Sequence, residues 1–394
     1  MRIVYHHRTR GRDVEGVHIR GIVGALRELG HEVAIVSFPG ADPEEAPGAA
    51  AGKPRKSLLS AIVSKTPGVL FELLELGYNV VTWFRIGRVI RDQRPDLIYE
   101  RYSLFLFATV WQARRHRIPI VLEINDSALV PRVRPLFLKR LARRIERWCM
   151  QECTGLVFIS SYFRDVAREA YGTIRPLVVS PNAADAARFD PALFDRDALR
   201  QRHGLGDAIV CGYVGAFVHW HGVAEFVERI APEIAKRRDV KLVFVGGGVD
   251  LAAVQATVEK HGIADRVLLP GRVDHAEIPA WIACMDLAVL PNSNMYGSPM
   301  KLFEFMAMGV GVVAPDYAPI AEVVEDGRTG WLFPRGRADA CVERVLAVAG
   351  SRAQQAEVGR AARDYIVRAR QWRTNAEQLL SLVPRADAAH GPAA

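Results

Sequence analysis

Cysteine is scarce in this 394-residue sequence, which has five in all. Only Cys149 and Cys153 are near neighbours, one helical turn apart. That spacing supports neither a disulfide framework nor a metal cluster, so the cysteines read as core thiols of a reducing compartment. Long apolar runs are missing as well. The richest stretch, Val69 to Phe84, carries Glu72 and Glu75 and falls short of the roughly 20 uninterrupted apolar residues that span a bilayer. The opening Met1 to His7 has too few apolar residues for a signal peptide and reads as a first strand, so the expected location is cytoplasmic. No module interleaving aromatic and basic residues is present, which argues against a nucleic-acid partner. No repeat of short fixed period occurs.

What is present is an enzyme-like balance of 50% apolar and 24% charged residues in a chain long enough for two cores. Charge is uneven. Residues 1–150 hold 25 Lys and Arg against 15 Asp and Glu, leaving 27 against 29 for the remainder. A basic first half attracts anionic lipid head groups or phosphorylated acceptors.

Short apolar runs alternate with helix-period segments throughout, the pattern of βαβ units and parallel sheets. Strands are expected at Arg2–Tyr5, Glu32–Ser37, Asp96–Tyr99, Pro119–Glu123 and Gly155–Ile159, with a helix over Ile19–Leu29. A second series runs through Ala208–Val214, Lys241–Val245, Arg266–Leu269, Leu287–Leu290 and Gly311–Ala314. The fold class is therefore α/β, with two doubly wound domains at 1–186 and 187–365, a linker within Ser180–Arg196, a returning helix over 366–383 and a tail over 384–394. Residues 41–56 read as a mobile loop. Ligands of such sheets bind beyond the carboxyl ends of the strands, which predicts a site between the two domains.

The most informative segment is Leu290-Pro-Asn-Ser-Asn-Met-Tyr-Gly-Ser-Pro-Met-Lys-Leu-Phe-Glu-Phe-Met-Ala-Met-Gly309. It reads as a strand end, a loop through Tyr296 and Gly297, and a helix opening at Ser298-Pro299. Ser298 is placed to cap and Pro299 to occupy the first turn. Free N–H groups at Met300 to Leu302 then aim at a phosphate, with Lys301 adding charge and Glu304 one turn further on, in reach of ribose hydroxyls.

This segment resembles the signature helix of the retaining GT-B glycosyltransferases of family four, whose pattern has two glutamates separated by seven residues. Glu304 matches the second glutamate, while Tyr296 stands at the first. The resemblance extends in order through Gly212-Tyr-Val-Gly-Ala-Phe-Val-His-Trp-His-Gly222, Leu242 to Gly248, Asp265 to Val273 and Ala314 to Leu332. It implies a GT-B fold, a nucleotide-diphosphate sugar as donor, and donor contacts from Gly215, His221, Gly246, Arg272 and Val273. Arg272 and Val273 would face the base. Where the family has an Arg and a Lys in its phosphate loop, this chain has Ala216 and His221. Lys301, the helix N-terminus and a protonated His221 are expected to supply the charge, with no metal or other cofactor. Asp195-Arg-Asp197 reads as a helix N-terminal region and not as a metal-holding turn.

In the first domain a polar loop, Arg8 to His18, follows strand one, with Gly11 and Gly16 giving backbone room and His18 on the acceptor side. Asn125 and Asp126 stand where relatives carry a sugar-contacting His-Asp pair. They complete a catalytic set with Lys301 and Glu304. Pro181 to Asp185 resembles the family's segment before the hinge, and Gln371-Trp372 falls where the last helix returns. The acceptor is expected to be a glycan or a lipid-linked glycan. Pro135–Met150 reads as an amphipathic helix with a basic face, either packed on the core or lying on an anionic membrane surface, and residues 55–94, mixing Leu, Phe, Trp and Tyr with Lys and Arg, support the membrane reading. A nucleotide-sugar epimerase of related fold and an inactive sugar-nucleotide-binding subunit are the alternatives.

Overall fold

The computed structural model describes residues 1–11, 13–44, 68–132, 134–174 and 176–384. Most of the expected loop 41–56 and nearly all of the tail 384–394 lie outside the described residues. The chain divides into two compact units, Met1–Pro181 with Trp372 onward, and Asn182–Gln371.

The first unit is a six-stranded sheet of β1 Arg2–His6, β2 Glu32–Val36, β3 Leu97–Arg101, β4 Ile120–Ile124, β5 Gly155–Phe158 and β6 Leu177–Val179. Its order is β2-β1-β3-β4-β5-β6, and every pairing is parallel. The central strand β4 is buried along its whole length, as expected when both faces of a parallel sheet are covered. The order reverses between β1 and β3, so the crevice at their carboxyl ends is the topological switch point.

Three local expectations are corrected here. The first helix starts at Asp13 and runs to Glu28, so Gly16 and His18 are helical and do not belong to a loop. The helix expected over Pro135–Met150 runs from Lys139 to Glu152. Its start is set from outside, because the Glu72 carboxylate accepts from the N–H groups of Phe137 at 2.7 Å and Leu138 at 2.6 Å. Strand β6 adds a member to the expected series. A helix over Trp372–Leu380 packs against Asp13–Glu28, with the Trp372 ring where a side chain at Gly21 would otherwise lie.

The second unit repeats the architecture with β7 Ile209–Val214, β8 Val240–Val245, β9 Val267–Gly271, β10 Leu287–Val289, β11 Gly311–Pro315 and β12 Trp331–Phe333, in the order β12-β11-β10-β7-β8-β9. Strand β7 alternates between two cores. Val210 and Val214 join the layer containing Phe303, Phe305 and Ile366, while Ile209, Cys211 and Tyr213 join the one containing Phe226 and Phe244. The switch point lies between β7 and β10, and the helix Met300–Ala307 starts beyond β10. Within the expected linker, Asp190 and Asp195 cap short helices by accepting from Ala192 and Ala198 N–H groups. This agrees with reading Asp195-Arg-Asp197 as a helix start.

Candidate functional site

In the second unit the switch point is built by glycines. A side chain at Gly246, where φ is +139°, would meet the Gly215 carbonyl at 1.9 Å, and the Gly246 N–H donates to Gly271. The loops after β7 and β8 therefore touch backbone to backbone. Gly215, at φ +145°, leaves the space that the Lys301 ammonium fills, 2.4 Å from where a Cβ would stand.

Lys301 reaches from the helix Met300–Ala307 to the Tyr213 hydroxyl, donating at 2.9 Å with its nitrogen 4.4 Å from the ring centre. Burial lowers its pKa to about 7, against an opposing pull from Glu304. The side chain is half-buried, and its amine changes charge close to neutral pH. The helix starts at Met300 with no side-chain cap, which leaves the positive end of its dipole open. Two expectations fail in detail. Pro299 is the extended residue before the helix and lies outside its first turn. Ser298 does not cap, because its hydroxyl accepts from the Asn182 N–H at 3.0 Å while Asn182 Nδ2 donates to the Ser298 carbonyl at 2.5 Å. Leu302 donates its N–H to Pro299, leaving Met300 and Lys301 at the open end.

His221 lies with Nδ1 3.0 Å from the Tyr213 hydroxyl and 2.8 Å from the Ala216 carbonyl. Burial first, and then Lys301, lower its pKa to about 4. The expected protonated His221 is therefore corrected: it is neutral near pH 7 and positions Tyr213 and the loop. Glu304 is buried, and its Oε1 is 3.0 Å from His275 Nε2. Sequence reasoning passed over His275, although it follows Arg272 and Val273 by only a few residues. Arg272 is exposed beyond β9 and lies along Gly247, and Val273 packs against the core. Tyr296 and Gly297 form a turn whose N–H groups both donate to Asn294 Oδ1.

In the first unit the carboxyl ends of the strands carry a buried polar lattice. His6 Nδ1 pairs with Glu100 at 2.5 Å. Glu123 receives His18 Nε2 at 2.7 Å, the Tyr99 hydroxyl at 2.6 Å and Arg101 at 2.5 Å. Burial drives the Glu123 pKa upward, but His18, Arg101 and the hydrogen bonds outweigh it and hold the value at about 2. His7 is buried, with burial lowering its pKa to about 4. Asn125 Oδ1 is buried without a hydrogen-bond partner, whereas Asp126 holds the Ser127 N–H and pairs with Arg132. The room left by the two glycines is taken by the chain itself. A side chain at Gly11 would meet the Ala41 carbonyl at 1.7 Å, and one at Gly16 the Gly11 carbonyl at 2.4 Å. His6, Tyr99, Glu100 and Arg101 were missed because their partners lie far away in sequence. The available signal was a strand ending in Tyr-Glu-Arg, charged where the interior should be apolar.

Among the described residues, no group of three or more His, Cys, Asp or Glu is placed to hold a metal ion. The described cysteines are free, and burial raises the Cys149 and Cys153 thiols, the latter to about 12.

Residues 16–188 match the family model described as Glycosyltransferase Family 4, and residues 208–351 the one described as Glycosyl transferases group 1. The GDP-mannose-dependent alpha-(1-6)-phosphatidylinositol monomannoside mannosyltransferase of Mycolicibacterium smegmatis is 29% identical over 250 residues, covering 62% of this chain and 65% of that protein. The alpha-D-kanosaminyltransferase of Streptomyces kanamyceticus is 28% identical over 239 residues, covering 58% and 61%. The match thus spans just under two thirds of these relatives' length. Among solved structures, Anabaena HepE in complex with UDP aligns with a TM-score of 0.72 at 16% identity, over 97% of this chain and 99% of that one. Sucrose-phosphate synthase from Thermosynechococcus elongatus aligns at 0.71 and 16%, over 97% and 98%. These structures share the fold. Two glycosyltransferase models thus match in succession along the two parallel-sheet units, and the fold is that of the GT-B glycosyltransferases.

Proposed function

We propose that this protein transfers a sugar from a nucleoside-diphosphate donor, of UDP or GDP type, to a hydroxyl of a glycan or lipid-linked acceptor, with retention at the anomeric carbon. The observation that carries the reading is Lys301: a half-buried lysine whose amine sits against Gly215 and the Tyr213 hydroxyl, beside an uncapped helix N-terminus at the switch point of the second sheet. That arrangement suits a diphosphate, whose charge develops as the sugar leaves.

The Lys301 amine and the backbone N–H groups of Met300 and Lys301 would hold the departing phosphate without a metal. Glu304, steadied by His275, would accept from the ribose, and Arg272 and Val273 would border the base. In the transfer, the bond from the anomeric carbon to the phosphate oxygen breaks as the acceptor oxygen bonds on the same face. The acceptor's proton passes to the leaving phosphate. Asn125 and Asp126 would orient the sugar, and the His18 side of the first unit would serve the acceptor. A GDP-mannose-dependent enzyme among the relatives and a UDP-bound protein among the structural neighbours support both donor classes. The test is incubation of the purified protein with a panel of nucleotide sugars and a lipid or glycan acceptor extract, followed by NMR of the product. A new glycoside with the donor's anomeric configuration supports the reading. An inverted product removes the retaining mechanism, and epimerised donor without transfer favours the epimerase alternative.

A further inference from the structure

The helix Gly68–Gln93 is turned inside out for a water-facing element. Its buried positions include Glu72, Asn79 and Thr82. On its other side Leu70, Leu73, Leu74, Val80, Val81 and Phe84 are 49% to 71% exposed. These residues recur at three- and four-residue intervals and form one stripe. Isolated exposed apolar residues are ordinary, but a continuous stripe marks an interaction surface.

The two carboxylates in the first two-thirds of this helix are both engaged elsewhere. Glu72 caps the neighbouring helix Lys139–Glu152 through Phe137 and Leu138, and Glu75 pairs with Arg8 at 2.8 Å. The Glu72 contact sets the start of a basic helix beside the stripe. Phe137, against Gly68, and Leu141 continue the apolar surface, being 57% and 37% exposed. Lys139, Arg140, Arg143, Arg144 and Arg147 are exposed around them. Glu146 of the same helix is buried, accepting from Ser127 and Tyr171 hydroxyls. No exposed carboxylate occurs over residues 68–91 or 139–151.

We propose that this face of the first unit docks on an anionic lipid bilayer, the stripe of Gly68–Gln93 entering the head-group boundary while the cations of Lys139–Glu152 meet lipid phosphates. An apolar stripe beside unbalanced cations is complementary to such a surface. A second copy of the chain in a symmetric contact would instead bring the two cation clusters together. The sequence-based expectation for a membrane contact rested on the basic helix, with the mixed apolar and basic residues 55–94 in support. Its Ala142, Cys149 and Met150 are buried, so it supplies charge while the other helix supplies most of the apolar area. The inference stands on this surface and does not depend on the donor or the mechanism.

The test is flotation of the full-length protein with vesicles of phosphatidylcholine alone or mixed with phosphatidylglycerol, at low and high salt. Binding should require phosphatidylglycerol and weaken with salt. Val80→Glu with Phe84→Glu should abolish it. Each of Arg140→Gln, Arg143→Gln and Arg144→Gln should weaken it about five-fold. Circular dichroism and thermal unfolding of the full chain serve as the folding control. Should the glutamate variants misfold, an environment-sensitive dye on Leu74→Cys reads the same contact, with a blue shift expected on anionic vesicles. The proposal is overturned if no vesicle binds, if neutral vesicles bind as well as anionic ones, or if the dye stays in water. It is equally overturned if the chain dimerises and Val81→Glu yields monomers without any effect of lipid. Sugar transfer to a soluble acceptor would persist in the stripe variants, so failure here is separable from failure of the transferase reading.

Discussion

Replacing Lys301 by Met should stabilise the empty protein and weaken nucleotide binding at the same time. The amine's pKa is lowered by burial from 10.5 to about 7, so the unfolded chain binds more protons there between pH 7 and 10.5. Stability attributable to this group therefore rises with pH across that window, and the buried charge is a liability below it. Every pH unit separating the folded and unfolded values corresponds to about 1.4 kcal/mol. Offset by the lost hydrogen bond to Tyr213, we expect Lys301→Met to gain about 2 kcal/mol at pH 6 and little at pH 9. For a unit of this size, 182–371, that is a rise in Tm of about 4–8 °C. A diphosphate recruits the protonated amine, so removing it should weaken nucleotide binding by about 10- to 150-fold. In the parent protein, affinity should fall as pH rises above 7, up to about tenfold for each pH unit. Thermal melts at pH 6 and pH 9, with and without nucleoside diphosphate, read all of these effects. A variant that melts lower at pH 6 and binds nucleotide normally would refute the role given to Lys301.

Three further outcomes are expected. Glu123→Gln leaves His18 and Arg101 without their shared carboxylate and should cost about 3–5 kcal/mol in urea unfolding of the first unit. Since the Glu123 pKa is held at about 2 against an ordinary 4.5, its contribution in the parent is full above pH 4.5 and fades as pH falls toward 2, so the variant should show a shallower acid limb. Gly246→Ala forces a Cβ into the Gly215 carbonyl and should lose nucleotide binding while destabilising the second unit by about 2 kcal/mol or more, measured by calorimetry. His275→Ala frees Glu304 and should raise donor KM about tenfold with kcat little changed, whereas His275→Gln, which keeps a donor, should recover most of it.

Both sheets were legible because buried parallel strands are continuous apolar runs, and β4 and β7 are buried end to end. The three-residue strands Leu177–Val179 and Trp331–Phe333 were not, since so short an edge segment carries no period. In the donor site, Lys301 and Glu304 could be read from one local segment. Their partners could not: Tyr213 meets Lys301 across 88 residues, and His275 meets Glu304 across 29. The charge state of His221 escapes the sequence for the same reason, because burial and a neighbouring amine are tertiary facts. In the first unit, Gly11 and Gly16 are the special backbone positions that the sequence suggests, but the space they leave is filled by the protein's own carbonyls.

The most direct test of the account is calorimetric titration of the purified protein with UDP, GDP, ADP, CMP and dTDP in the presence of EDTA, beside the Lys301→Met variant. The account predicts binding of a nucleoside diphosphate that survives EDTA, takes up protons above pH 7 and is sharply weakened in the variant. Binding that appears only with added metal, or that is indifferent to Lys301, would contradict it.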